Sequence, residues 1–123
     1  MRAGQMLVEV VLAVAVTVLV LVGLAQLSTG SVTTSNFSRS KSQADAYAQK
    51  AMEEIRSQRN TLGWSGFGSY SCDALDGTVG NGFTRDANCD RGTPGKVTVT
   101  VTVSWAEAGR TSNIKQIAVF NQY

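Results

Sequence analysis

The chain of 123 residues contains no histidine. That removes the commonest general base near neutral pH and the commonest nitrogen ligand for a metal. Proline occurs once, at Pro94, and cysteine twice, at Cys72 and Cys89. Charge is sparse: 16% of residues are Asp, Glu, Lys or Arg, against roughly 25% in an average soluble domain. Between Arg2 and Arg39 the sole charged side chain is Glu9. The formal net charge is +2, and from Cys72 onward five basic residues (Arg85, Arg91, Lys96, Arg110, Lys115) balance five acidic ones (Asp73, Asp76, Asp86, Asp90, Glu107). A neutral C-terminal half gives no electrostatic reason to hold nucleic acid. The chain has no Ser/His/Asp set, no Cys/His pair and no phosphate-cradling glycine loop. Glu53 and Glu54 are neighbours on a predicted helix and point about 100° apart, which suits two solvated carboxylates rather than an acid–base pair. Neither catalysis nor a cofactor is expected.

What the sequence does have is one long apolar run. From Met6 to Leu27 only Glu9, Thr17, Gly23 and Gln26 interrupt it, which is about the 20 residues a helix needs to cross roughly 30 Å of hydrocarbon. A carboxylate in such a segment costs on the order of 2.5–3.5 kcal/mol near a bilayer centre and less at its rim, so Glu9 calls for a functional explanation. In a secretory signal peptide Arg2 would form the basic region, Val10–Val22 the apolar region, and Gly23-Leu24-Ala25 a small-x-small cleavage site before Gln26. In a plain membrane anchor Glu9 has no role.

A third reading gives it one. Gly4-Gln5-Met6-Leu7-Val8-Glu9 followed by an apolar helix resembles the class III signal of type IV pilins and type II secretion pseudopilins. The resemblance implies that a prepilin peptidase cuts after Gly4 on the cytoplasmic side and methylates the new N-terminus at Gln5. The apolar stretch then stays in the mature protein, and Glu9 falls at its fifth position, where the family carries a glutamate. This chain departs from the family in having Gln5 and Met6 where phenylalanine and then serine or threonine are commonest, and in its short leader with a single arginine. Where apolar segments pack together, the new α-amino group and the Glu9 carboxylate can offset each other's burial and fix axial register. The family further implies partners: other pilin subunits through the apolar helix, a prepilin peptidase, an assembly platform and an ATPase. It also implies a single pass through the cytoplasmic membrane, N-terminus inside, before passage into an extracytoplasmic filament. Charge settles orientation only weakly, because Arg39, Lys41 and Lys50 lie beyond the far end of the run.

Ser28–Ser38 has poor helix propensity, and Gly23 and Gly30 are candidate bends. From Phe37 the pattern is helical: Phe37, Ala44, Ala48, Ala51 and Ile55 recur at three- to four-residue steps, flanked by Tyr47 and Met52. Lys41, Asp45, Lys50, Glu53, Glu54, Arg56 and Arg59 take the other face, and Asn60–Gly63 predicts a stop. A helix from Gln5 to Arg59 would measure roughly 80 Å at 1.5 Å per residue, which suits a filament subunit better than a small soluble domain.

Leu62–Gly95 holds eight of the twelve glycines and reads as loop. Trp64, Phe67 and Tyr70 within it either pack the loop onto a small core or line a binding surface. A Cys72–Cys89 disulfide would staple the loop, given an oxidising compartment beyond the apolar segment; two free thiols are the other reading. In Asp86-Ala87-Asn88-Cys89-Asp90-Arg91-Gly92, three oxygen-bearing side chains alternate as at the start of a calcium loop. The glycine comes one place late, however, and Val97 stands where a bidentate glutamate belongs, so a polar turn without metal is expected. Lys96–Trp105 alternates valine with threonine or serine and is the clearest strand. Ala106–Asn113 is read as a turn, Ile114–Phe120 as a second strand, and a short strand near Phe83–Asp86 completes the sheet.

The expected organisation is a leader over 1–4, an apolar helix half over 5–27, an amphipathic half over 28–60, and a glycine-rich loop with a small sheet over 61–123. The fold class is α+β, a long helix packed on a three-stranded antiparallel sheet, pilin-like. The function expected is a prepilin processed after Gly4 and assembled as a minor subunit of a type IV pilus-like, competence or type II secretion filament. The alternative is a secreted or membrane-anchored binding domain using Trp64, Phe67 and Tyr70.

Overall fold

The computed structural model describes residues 2–122. Helix α1 (Arg2–Phe67) is followed by a 3-10 turn (Cys72–Leu75) and four strands: β1 (Gly77–Val79), β2 (Phe83–Asp90), β3 (Lys96–Glu107) and β4 (Arg110–Asn121). The chain divides into two compact units, Met1–Ser38 and Arg39–Tyr123.

In the first unit the backbone keeps helical φ/ψ through Gly23 and Gly30, the two candidate bends. The hydroxyl-rich stretch is helical throughout, with its threonines turned back on it. Thr29, Thr33 and Thr34 Oγ1 donate to carbonyls four residues earlier at 3.1, 3.1 and 3.0 Å, a way for such side chains to satisfy themselves inside a helix. Phe37, expected as the first core residue, is 42% exposed. The buried stripe begins later, at Ala44.

The second unit is a pilin-like α+β layer pair: a helix face lies on an antiparallel sheet of order β1-β2-β3-β4. Ala44, Ala48, Ala51, Met52 and Ile55 are buried against Val97, Val99, Val101, Val103 and Trp105. Both periodicities predicted from sequence therefore hold: a 3.6-residue step on the helix meets a two-residue step on the strand. The helix contributes mostly alanine to this core and the strand mostly valine. The stop expected at Asn60–Gly63 is a break, not an end. Gly63 takes φ 67° and ψ −179°, and one further turn carries Trp64 to Phe67 before Gly68, Ser69 and Tyr70 N–H groups donate to the last carbonyls.

The segment read as loop up to Gly95 is more ordered than its composition suggests. It holds the end of α1, the 3-10 turn, β1 and all of β2, so the sheet has four strands rather than three. Glycine misleads here because it serves the turns between short elements: Gly80 and Gly82 take φ 61° and 82° in the β1–β2 connection, where only glycine is unstrained. The β3–β4 connection is also tighter than read. It is Ala108-Gly109, both at positive φ (51° and 74°), the signature of a two-residue hairpin turn matched to strand twist. All twelve residues of β3 find partners in β4, from Lys96↔Asn121 to Glu107↔Arg110.

Candidate assembly surface and the sites of the sheet domain

Between Met6 and Leu27, fifteen large apolar side chains are each at least 50% exposed. They cover every side of the helix, from Leu7, Val11 and Val18 to Leu12, Leu19 and Leu27. A helix apolar all round is one that is covered, by protein or by lipid. At about 1.5–3 kcal/mol per large apolar side chain left in water, the segment carries a cost far above the stability of a small domain. It is the one described helix long and apolar enough to cross a membrane. Glu9 interrupts it on the face of Gln5: residues four apart are neighbours on a helix, about 5–6 Å between their Cβ atoms. Gly4, Gln5 and Glu9 thus lie in order within regular, exposed helix. Any α-amino group created at Gln5 would lie one turn from the Glu9 carboxylate.

In the sheet domain a cluster of contacts gathers at one corner. Cys72 and Cys89 form a disulfide, tying the 3-10 turn to β2, and Cys72 is 2% exposed. Three arginine- and aspartate-centred contacts hold the same corner together. Arg85 Nε donates to the Leu75 carbonyl at 2.7 Å. Asp76 Oδ1 accepts from the Ala87 N–H at 2.6 Å. Arg91 Nη2 donates to the carbonyls of Phe67 and Tyr70, adding a second donor to the Phe67 carbonyl that the Tyr70 N–H already reaches. None of these roles is written in a local sequence pattern, because each partner is a backbone group set by the fold.

Trp64, Phe67 and Tyr70 resolve in favour of packing. Phe67 is fully buried, with Tyr70 stacked on it at 6.2 Å, Trp64 at 6.3 Å and Phe120 edge-on at 5.6 Å. A ligand surface built on the three would need the one side chain that is not accessible. Burial first, and the Glu54 carboxylate second, push the Tyr70 phenol above its usual range.

Asp86, Asn88 and Asp90 lie on strand β2, not in a turn. All three are exposed at alternate positions of one face, so neighbours stand about 6.6 Å apart along the strand and point in parallel, whereas a cation needs oxygens converging on a point. Asp90 Oδ1 instead accepts from the Gly92 N–H at 2.9 Å. Among the described residues no group of three or more Cys, Asp or Glu is placed to hold a metal. No family model, no curated protein and no solved structure matches this chain.

Proposed function

We propose that the chain is a prepilin, cut after Gly4, methylated on Gln5, and assembled through residues 5–27 as a subunit of a type IV pilus-like, competence or type II secretion filament. The observation that carries this reading is the all-round apolar surface of Met6–Leu27 with its one carboxylate at Glu9. Lipid covers such a surface before assembly and neighbouring copies of the same segment cover it afterwards. The Gln5 amino group and Glu9 then supply the only charges in that layer, and pairing them between adjacent subunits fixes axial register. A small disulfide-linked sheet domain, with no catalytic grouping among its described residues, suits a structural subunit and a minor one. Processing enzyme, platform and assembly ATPase are supplied in trans.

The test is the intact mass and N-terminal sequence of membrane-extracted protein made with and without a prepilin peptidase. A methylated chain beginning at Gln5 only when the peptidase is present is the expected result. A chain beginning at Gln26 would instead mean signal-peptide cleavage, and one beginning at Met1 a plain anchor.

A further inference from the structure

The two edges of the sheet are treated in opposite ways. On one side β1 is three residues long and pairs with β2 from Val79↔Phe83 to Gly77↔Arg85. Beyond it, the next edge-facing amide of β2, Ala87 N–H, is taken by Asp76, and the disulfide fixes the 3-10 turn beside Cys89. A short strand and a covering loop are standard protections of a sheet edge.

On the other side β4 is twelve residues long, carries no proline, and runs in unbroken register with β3. Its hydrogen-bonding phase follows from one contact: Gln122 N–H donates to the Gly95 carbonyl at 2.9 Å. Residues of an antiparallel pair alternate between bonding inward and outward, so Phe120, Ala118, Gln116, Ile114 and Ser112 bond to β3. Thr111, Asn113, Lys115, Ile117, Val119 and Asn121 then direct N–H and C=O away from the sheet. The Asn121 carbonyl accepts from Arg59 Nη2 at 3.1 Å, as that phase requires. The rest of the row has no strand beyond it among the described residues. The same residues present exposed side chains, with Ile117 63% and Val119 49% exposed, and Lys115 is the sole charge between Thr111 and Asn121.

We propose that the outer edge of β4, from Asn113 to Val119, takes up an extended strand of a different polypeptide. That strand places apolar residues beside Ile117 and Val119 and an acidic residue beside Lys115. A row of alternating donors and acceptors is complementary only to another extended backbone, and the side chains beside it set its preference. A second copy fits less well. β4 carries no carboxylate between Thr111 and Asn121, so pairing it with itself leaves Lys115 without an opposite charge.

The experiment uses the full chain in detergent micelles and a blocked nine-residue peptide. The peptide has valine at the positions opposite Val119 and Ile117, glutamate opposite Lys115, and threonine elsewhere. Amide hydrogen exchange is followed residue by residue, with slow exchange across β3 reporting that the domain is folded. The expected result is slowed exchange at Asn113, Lys115, Ile117 and Val119 on adding peptide. A lysine-for-glutamate peptide should bind about three- to ten-fold more weakly, with that preference reversed in Lys115→Glu. Slowing elsewhere, no slowing, or a preference indifferent to Lys115→Glu would overturn the proposal. So would slow exchange of these four amides in peptide-free protein that deepens with protein concentration, which would identify a second copy as the occupant. Processing at Gly4 is not involved in this readout, so its failure and that of the filament reading remain separable.

Discussion

The hydroxyl of Tyr47 lies where a Cβ on Gly80 would have to sit. Tyr47 is on the helix and Gly80 at the tip of the β1–β2 connection, and the tyrosine ring also leans on Phe83 at 5.3 Å between centroids. The tip therefore rests on the helix through one aromatic side chain. Gly80→Ala has two faults at once: φ of 61° is unfavourable for alanine, and the methyl group meets a rigid aromatic ring rather than a flexible chain end. A loss of about 2–4 kcal/mol is expected from the left-handed conformation and overpacking together. Gly77→Ala, whose Cβ would meet nothing within 4 Å, suffers only the backbone fault. Urea midpoints of the two variants should rank accordingly.

The disulfide closes a ring across a sequence separation of 17, for which the chain-entropy model gives on the order of 3 kcal/mol. Replacing both Cys72 and Cys89 by alanine should lower stability by about that amount. In that model the bond acts on the unfolded chain, so β3 and β4 amides that exchange through global unfolding should lose protection by the same free energy. Arg85 and Asp76 still tie the 3-10 turn region to β2, so the fold itself should persist. Unchanged protection of β3 and β4 beside a loss confined to Gly77–Val79 would mean that the bond holds one corner rather than restraining the unfolded chain.

Ala108 is the one described non-glycine residue at positive φ, at 51°. It occupies the first turn position of the β3–β4 hairpin, where asparagine or glycine is favoured. Left-handed backbone costs an ordinary residue roughly 1–2 kcal/mol, and asparagine relieves part of it. Ala108→Asn should therefore raise stability by about 0.5–1 kcal/mol, read as a higher thermal midpoint with unchanged circular dichroism.

The helix–sheet core was readable in the sequence because two periodicities had to meet: alanines at 44, 48 and 51 on one side, valines at 97, 99, 101 and 103 on the other. Strand β3 was legible for the same reason, and the disulfide from its placement. The stretch from Leu62 to Gly95 was not. Its glycines and single proline suggest loop, yet Gly63 permits a break inside a helix and Gly80 and Gly82 permit a tight hairpin, so the same residues serve ordered elements. Phe37 was misplaced because periodicity gives a face without saying where its cover begins. The contacts of Arg59, Arg85, Arg91 and Asp76 reach backbone groups distant in sequence, and no spacing rule reports those. In the N-terminal segment the proposed site is a sequence pattern, Gly4, Gln5 and Glu9, and the structure adds that their helix is regular and exposed.

Glu9 gives the sharpest functional prediction. If its carboxylate pairs with the amino group of a processed Gln5 on a neighbouring subunit, Glu9→Ala leaves a positive charge unpartnered in an apolar layer. Breaking one partner of a buried pair costs about 3–5 kcal/mol, more than enough to exclude a subunit from an equilibrium of assembly. Membrane insertion should be unaffected or slightly improved, since the substitution removes a charge from an apolar segment. The expected outcome is normal amounts of Glu9→Ala protein in the membrane fraction, normal cleavage after Gly4, and strong depletion from sheared or secreted filaments. Glu9→Gln separates charge from shape: it keeps the side chain's size and hydrogen bonding but cannot neutralise an ammonium group, so it should fail as severely as Glu9→Ala. Filaments that take up both variants at the wild-type ratio would mean that the carboxylate does not pair in the assembled state.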